Sequence, residues 1–340
     1  MADRPLRTAD FDYELPPDLI AQTPIEPRDE ARLLVLNRAS GALTDRRVAD
    51  LPDLLRAGDC LVVNDSRVLP ARLTGRRPSG GRVEILLLRK QVDGAWQSLV
   101  RPARRLGLGA VVLLDGGSSA TIVGLGDEGM RTIQLEDETA ALSTGAAPLP
   151  PYITQPLADP DRYQSLFART LGSAAAPTAG LHFTPSLVER LRRNGIGIQQ
   201  VTLHIGLDTF RPVAEDNPLD HRMHSEWYRI TPETAAELKV ARERGGRVVA
   251  VGTTSVRTLE SATDDSGTVR AGSGDTRLFI QPGYRFRAVG AMLTNFHLPR
   301  STLLMLVSAF AGREPVLAAY RHAIDRGYRF YSFGDAMLIL

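Results

Sequence analysis

The residues best suited to chemistry begin at Ala175–Thr184, A-A-P-T-A-G-L-H-F-T. Pro177, Thr178, Gly180 and His182 fall in a run too irregular for a helix and too small-residued for a core strand. Thr184 then reads as a helix cap, with Pro185 at the first helical position and Leu187, Val188 and Leu191 at helical spacing. A glycine-bearing loop with one imidazole thus enters a helix N-terminus, where outward N–H groups favour anionic or polar ligands. A turn whose His182 bonds the loop to itself is the plainer reading of the same residues.

Similar polar groups recur where apolar strands end. Strand Ile196–Ile205 ends at His204-Ile205-Gly206. Strand Arg247–Val251 ends at Gly252-Thr253-Thr254-Ser255, with Arg257 one turn later. Strand Val289–Leu293 ends at Thr294-Asn295-Phe296-His297, and a last strand, Arg329–Ser332, ends at Ser332-Phe333-Gly334-Asp335. In open parallel sheets ligands bind beyond the carboxyl ends of the strands, so these groups and His182 are expected to share one cleft. Gly252–Ser255 offers hydroxyls and N–H groups to a phosphate or carboxylate, or simply caps a helix. It is no P-loop, because the G-x-x-x-x-G-K-[ST] spacing is missing.

The segment H-R-M-H-S-E (221–226) holds His221, His224 and Glu226. Imidazoles and a carboxylate suit zinc or iron, but the spacing fits no zincin or facial triad, so no metal is expected. Glu226 is better read as a catalytic carboxylate or a substrate hydrogen-bonding group. Asn64-Asp65-Ser66-Arg67, after the apolar run Cys60–Val63, is a further polar switch, or an Asx-turn.

The elements that must position these groups come in two textures. From Cys60, short apolar runs recur at Val68–Leu73, Val83–Arg89, Trp96–Val100, Val111–Leu114, Thr121–Leu125 and Thr132–Leu135, separated by glycine-bearing turns such as Asp127-Glu128-Gly129. That spacing indicates a β-barrel or sandwich. A Pro-rich exit, Pro148 to Pro156, closes the segment. Afterwards helices (Pro185–Arg193, Pro232–Arg244, Thr302–Ala311, Pro315–Arg326) alternate with strands, one of them near Leu278–Ile280. The expected class is α/β: a largely parallel sheet domain (1–59 and 150–340) with an inserted antiparallel β-barrel domain (60–149).

The 340 residues are 43% hydrophobic and 24% charged, ordinary for a globular chain with two domains. The single cysteine, Cys60, excludes an internal disulfide and suits a reducing cytoplasm. The N-terminus has no apolar signal region, and the run Leu303–Ala311 is too short to span a bilayer. A cytoplasmic monomer without membrane attachment is expected. Net charge is only +2, yet Arg67–Arg105 holds ten Arg and Lys against two carboxylates, a local excess of +8. Such a block can hold phosphates or form a solvated rim.

The chain resembles the S-adenosylmethionine:tRNA ribosyltransferase-isomerases of queuosine biosynthesis. The resemblance rests on F-D-Y-E-L-P (11–16), L-V-V-N-D-S-R-V-L-P-A-R-L (61–73), A-A-P-T-A-G-L-H-F-T (175–184) and H-I-G-L-D-T-F-R-P-V (204–213). It continues through M-H-S-E (223–226), A-V-G-T-T-S-V-R-T-L-E-S (250–261), N-F-H-L-P-R-S-T-L-L-M-L-V-S-A-F (295–310) and Y-S-F-G-D-A-M-L (331–338). Asp208 stands where the family's H-x-G-x-G-T-F pattern has glycine, and no role is carried onto it.

The resemblance implies transfer and isomerisation of the ribosyl group of S-adenosylmethionine onto 7-aminomethyl-7-deazaguanine at the wobble position of a tRNA. Epoxyqueuosine-tRNA, adenine and methionine result, with S-adenosylmethionine consumed as a substrate and no cofactor required. On this scaffold His182 and His204 are candidates for proton transfer, with Glu226 an alternative acid or base. Thr178, Gly180, Thr253, Thr254, Ser255 and Arg257 are candidates for holding S-adenosylmethionine, and Asn295 and His297 for contacting adenine or the modified base. Asp65, Arg67, Arg76, Arg77, Arg104 and Arg105 are candidates for engaging tRNA. A metal-dependent hydrolase built on His221, His224 and Glu226, and a non-catalytic RNA-binding module, are the competing classes.

If the basic segment holds tRNA phosphates, replacing Arg76 and Arg77 together by alanine weakens tRNA binding and flattens its salt dependence. Each lost phosphate contact should lower the log–log slope by about 0.7–0.9. An Arg104/Arg105 double variant, titrated across the same salt series, is the companion measurement; parental slopes in both identify the segment as a solvated rim.

Overall fold

The computed structural model describes residues 5–127, 129–206 and 212–340. Asp208, Glu128 and residues 1–4 lie outside the described residues. The strands are β1 Arg32–Leu36, β2 Leu43–Arg47, β3 Cys60–Asn64, β4 Ser66–Val68, β5 Arg72–Arg76, β6 Arg82–Lys90 and β7 Trp96–Arg101. They continue as β8 Val111–Leu114, β9 Ser119–Leu125, β10 Met130–Leu135, β11 Thr170–Ser173, β12 Gly197–Leu203 and β13 Glu226–Ile230. The last are β14 Val248–Val251, β15 Gly272–Thr276, β16 Ala291–Asn295 and β17 Ala336–Ile339. The helices are α1 Leu51–Leu54, α2 Glu138–Ser143, α3 Pro185–Arg193, α4 Pro232–Glu243, α5 Thr253–Ser261, α6 Thr302–Ala311 and α7 Arg313–Asp325.

Nine strands form one sheet in the order β15-β13-β12-β3-β14-β16-β17-β1-β2. Every residue of β3, β14 and β16 is buried, as expected of central strands covered on both faces. Alternation along β3 divides the core: Cys60 and Val62 join the layer of α5, α6 and α7, while Leu61 and Val63 join that of α3.

The centre, β12-β3-β14-β16, is parallel. The edges are not: β13 and β15 pair antiparallel at one side, β17 returns antiparallel to β16, and β2 antiparallel to β1. The sheet is therefore mixed rather than largely parallel. Two expected strands are corrected. Arg329–Ser332 is not a strand; its aromatic residues Phe330 and Tyr331 turn into the core, and the final strand is the apolar C-terminal run Ala336–Ile339. Leu278–Ile280 is also outside any strand, and the neighbouring polar run Gly272–Thr276 supplies the edge instead. Because β17 runs against β16, residues 332–335 still reach the carboxyl edge of the central strands, entering β17 rather than leaving a strand.

The order β10-β7-β6-β5-β8-β9 closes an antiparallel barrel. Val83, Ile85, Leu87, Trp96, Val100, Val112, Ile122 and Ile133 fill it. Cys60–Asn64, expected in the inserted segment, belongs to the large sheet, and the barrel strands begin at Arg72. Strand register separates the basic residues. Arg76 pairs opposite Arg82 at one end of the barrel, and Lys90 opposite Trp96 at the other, about 26 Å away along β6. No single described helix is long and apolar enough to cross a membrane.

Asp59, just before β3, ties the starts of β3 and β14 together. It is 2% exposed and accepts from Arg247 N at 2.9 Å, Arg247 Nη2 at 2.6 Å and Arg56 N at 2.9 Å. Burial pushes this carboxyl upward, but the Arg247 and Arg56 hydrogen bonds outweigh it and hold the group below the ordinary carboxylate range. Its contribution is thus complete above about pH 4 and is lost as pH falls through the depressed native value. Asp59→Ala is expected to cost about 2–3 kcal/mol in urea unfolding at pH 7, and less at pH 3.

Candidate active site

Two recesses open at the carboxyl edge of the sheet. The smaller, of about 40 Å³, is lined by Thr178 from the 175–184 loop, Gly252, Thr253 and Thr254 after β14, and Asn295 and His297 after β16. Tyr152, Tyr331, Ile205, Phe296, Leu298 and Leu303 are among the residues of its walls. Gly252 has φ of 87°, a left-handed conformation that glycine adopts without strain, and it turns the chain from β14 into α5. Asn64, at the end of β3, donates to Thr254 Oγ1 at 3.2 Å and to Leu203 O at 3.0 Å.

This recess sets a few uncharged polar groups in a mostly apolar wall. Asn295 Nδ2 donates to Tyr331 O at 3.1 Å, and the second hydrogen on the same nitrogen faces His182 Nε2 at 3.3 Å. The imidazole is the acceptor there and therefore neutral at Nε2. Burial lowers His182 to about 4, despite the opposing charge of Asp335. Burial lowers His297 to about 3, and its Nε2 lies 2.8 Å from Thr294 Oγ1. His182 therefore sits behind Asn295 and orients it, a different position from the expected proton-transfer role. Gly180 is a packing position, since a Cβ there would meet Ser165 Cβ at 3.2 Å.

The larger cavity, of about 710 Å³, lies between sheet and barrel, a volume suited to a nucleoside-sized ligand. His204, Gly206, Glu226, Trp227 and Arg277 line it from the sheet side, and Leu88, Arg89, Lys90, Trp96, Leu99 and Met130 from the barrel. Ile205 lines both recesses. Arg89 bridges the two domains, with Nη2 3.1 Å from both carboxylate oxygens of Asp275 on β15. Lys90 pairs with Glu138, which also accepts from Trp96 Nε1 at 3.1 Å.

Several expected ligand-binding residues are committed elsewhere. Arg257 is 4% exposed, ion-pairs with the equally buried Glu226, and donates from Nε to Leu278 O at 3.1 Å. Almost all of α5 is buried, so this guanidinium reaches Glu226 instead of a methionine carboxylate in solvent. Glu226 also accepts from Gly206 N at 3.1 Å, which fixes the turn after His204. Ser255 is fully buried and its hydroxyl donates to Val251 O at 2.8 Å. Asp65 is 2% exposed and accepts from Thr202 Oγ1 at 2.7 Å, Thr170 Oγ1 at 3.1 Å and Arg169 Nη2 at 3.2 Å. A buried carboxylate so engaged is a joint, not a tRNA contact.

Arg67, Arg76, Arg104 and Arg105 are exposed, whereas Arg77 is half-buried and folds against Gly81. The last four occupy the barrel end away from Lys90 and Trp96. Among the described residues no three His, Cys, Asp or Glu side chains converge to hold a metal, and His221 Nδ1 lies 3.0 Å from Glu215 Oε2.

Sequence reasoning missed Tyr152, Tyr331 and Trp227. Tyr331 has φ of 70°, a costly conformation for an aromatic residue, and its ring lies 4.6 Å from that of Tyr152. Nothing local in the sequence signals that conformation. Trp227 lay in plain view beside Glu226, but β13 was read as a polar motif rather than a strand.

A family model described as a queuosine biosynthesis protein matches residues 8–339. The chain belongs to this queuosine biosynthesis family. Among its relatives, the S-adenosylmethionine:tRNA ribosyltransferase-isomerase of Symbiobacterium thermophilum is 54% identical, covering 98% of this chain and 100% of its own. The protein of the same name from Moorella thermoacetica is 55% identical over the same shares. The crystal structure of the S-adenosylmethionine tRNA ribosyltransferase from Thermotoga maritima matches with a TM-score of 0.58 at 41% identity, covering 97% of this chain and 100% of that one.

Within this family member, the Glu226–Arg257 pair predicts a stability phenotype. Either Glu226→Ala or Arg257→Ala strands a buried charge and is expected to cost about 3–5 kcal/mol in denaturant unfolding. An Arg257→Ala protein that unfolds like the parent, and changes only the KM for S-adenosylmethionine, would return Arg257 to a substrate-binding role.

Proposed function

We propose that this chain is an S-adenosylmethionine:tRNA ribosyltransferase-isomerase whose chemistry takes place in the cavity between sheet and barrel. The observation that carries the placement is the cavity itself: about 710 Å³, walled by both domains, with the half-buried His204 on its surface. The full-length similarity to enzymes of that name supports the activity.

The sulfonium of S-adenosylmethionine acidifies the neighbouring C5′ proton, which His204 removes. The C4′–O4′ bond breaks to give a vinyl sulfonium, while O4′ becomes the C1′ carbonyl and expels adenine, which takes up a proton. The exocyclic amine of 7-aminomethyl-7-deazaguanine adds at C4′ and loses a proton. The resulting C5′ ylide bonds to C1′, and the alkoxide so formed displaces methionine from C5′ as the epoxide closes. The reaction needs no metal and no redox cofactor. The wobble nucleotide leaves the anticodon stack to enter the cavity, as enzymes acting on a base require. The uncharged recess of Thr178, Thr253, Thr254 and Asn295 holds a neutral polar portion of S-adenosylmethionine, while exposed arginines of the barrel contact tRNA phosphates. The setting is the cytoplasm.

Incubation with S-adenosylmethionine and tRNA bearing the modified base should release adenine and methionine; absence of adenine release with a folded protein rejects the activity. Burial lowers the His204 pKa from the usual histidine range, with the charge of Asp65 opposing and that of Arg229 assisting. The base form is therefore the one present at neutrality. The expected kcat/KM rises with pH through a value below about 6.5 and is flat at pH 7. His204→Gln removes that limb and lowers kcat by about 10²-fold or more.

A further inference from the structure

The small sheet formed by β4 and β11 lies outside both recesses' chemistry as described so far, yet it touches His204 twice. β4 contributes Ser66, which is fully buried. Its hydroxyl lies 2.6 Å from Leu203 O and 3.2 Å from His204 Nδ1. The carbonyl can only accept, so the single hydroxyl proton points to it. The remaining lone pairs of Ser66 Oγ then face Nδ1, and the hydrogen bond exists only if Nδ1 carries the proton. In a neutral ring that leaves the lone pair on Nε2. Nε2 has no hydrogen-bond partner among the described residues.

β11 contributes Gly172. The register between β11 and β4 shifts between Leu171 and Ser173, which makes Gly172 the bulged residue. Bulges beside active sites re-aim neighbouring groups. Gly172 has φ of 150°, and a Cβ on it would lie 2.5 Å from His204 Nε2, 2.7 Å from Cε1 and 2.9 Å from Cδ2. Such near-equal distances to three ring atoms place that Cβ over the ring rather than in line with the lone pair. Trp227 stacks on the same imidazole, with centroids 5.2 Å apart and planes inclined by 22°. The ring is thus held by Trp227, by the bare backbone of Gly172 and by one hydrogen bond on Nδ1. Both Gly172 and His204 line the large cavity.

We infer that Ser66 and Gly172 are positioning residues for the base: Ser66 fixes His204 as the Nδ1–H tautomer, and Gly172 leaves the seat in which Nε2 serves the cavity. The inference rests on the reading of His204 as the base. Asp65 and Arg229 are the charged groups that act on this ring, and neither supplies the proton on Nδ1.

Full-length protein labelled with ¹⁵N in its histidine rings tests it. The His204 signals are assigned by their loss in His204→Gln. Wild-type protein should show Nδ1 protonated and Nε2 bare at neutral pH. Ser66→Ala should redistribute the proton toward Nε2 and lower kcat at least about tenfold, with the KM for S-adenosylmethionine changed less than about twofold. Gly172→Ala should displace the ring, seen as lost contacts between His204 and Trp227, and lower kcat similarly. A proton on Nε2 in the wild type overturns the inference, as does a Ser66→Ala variant with the parental tautomer and kcat. The wild-type measurement stands even if a variant fails to fold. His204→Gln with parental kcat would overturn the assignment of the base instead, and the tautomer would still be read independently.

Discussion

Everything at the carboxyl edge depends on the satisfaction of three consecutive buried polar residues, Asn64, Asp65 and Ser66, where β3 leaves the sheet. A buried amide, carboxylate and hydroxyl are costly unless each finds partners. Their partners are the site's other elements. Asn64 accepts from Leu203 N at 3.1 Å and reaches Thr254, which joins β12 to the start of α5. Asp65 holds Thr202 on β12 and Thr170 on β11. Ser66 holds Leu203 and His204. Satisfying the end of one strand thereby fixes the loops of its neighbours, and it does so where the chain departs for the barrel.

The site separates into a recess lined by uncharged residues and a cavity lined by several charged ones. Burial disfavours the protonated forms of His297 in the recess and of His182 behind it, so the hydrogen-bonding groups there are neutral. Around the cavity, Glu226 is matched by Arg257, Asp275 by Arg89 and Glu138 by Lys90. Only the Glu226–Arg257 pair is desolvated, so a charge left unpartnered there would destabilise the fold, whereas the two solvent-exposed pairs contribute little. The half-buried imidazole of His204 lines the same cavity, and its ring contacts leave Nε2 without a hydrogen-bond partner among the described residues.

The barrel contributes a wall as well as a surface. Its interior is a closed apolar core, so it holds its shape independently of the sheet. Leu88, Leu99 and Met130 face the cavity from its outside, and Arg89 anchors it to the sheet edge through Asp275. The basic excess is spread over both ends, with Arg76 and Arg77 at the end of β5 and β6 opposite Lys90, and Arg104 and Arg105 in the turn after β7.

Much of this was legible in the sequence. The runs Val248–Val251 and Ala291–Leu293 are apolar on both faces, which only a sheet covered on both sides accommodates, whereas the equally apolar Leu61–Val63 reads with the inserted segment until the sheet assembles around it. The turn-punctuated segment from Cys60 indicated a barrel or sandwich, which strand pairing resolves as a closed barrel, and Thr184-Pro185 specified the start of α3, because capping and turn chemistry are local. The convergence of Thr253, Thr254, Asn295 and His297 followed from strand ends, whereas the separation of His204 into the second cavity did not. The edges did not follow: Gly272–Thr276 has no apolar alternation, and it is a strand only because β13 offers it hydrogen-bonding groups. Nor did the fates of single polar side chains. Arg257 looked free until α5 was buried and Glu226 stood opposite it, Asp65 looked exposed until Thr202 and Thr170 enclosed it, and Ser66 gained meaning only beside His204. Local sequence sets conformational preference and apolar patterning, whereas the partner that satisfies a buried polar group lies far along the chain and is chosen only when the sheet assembles.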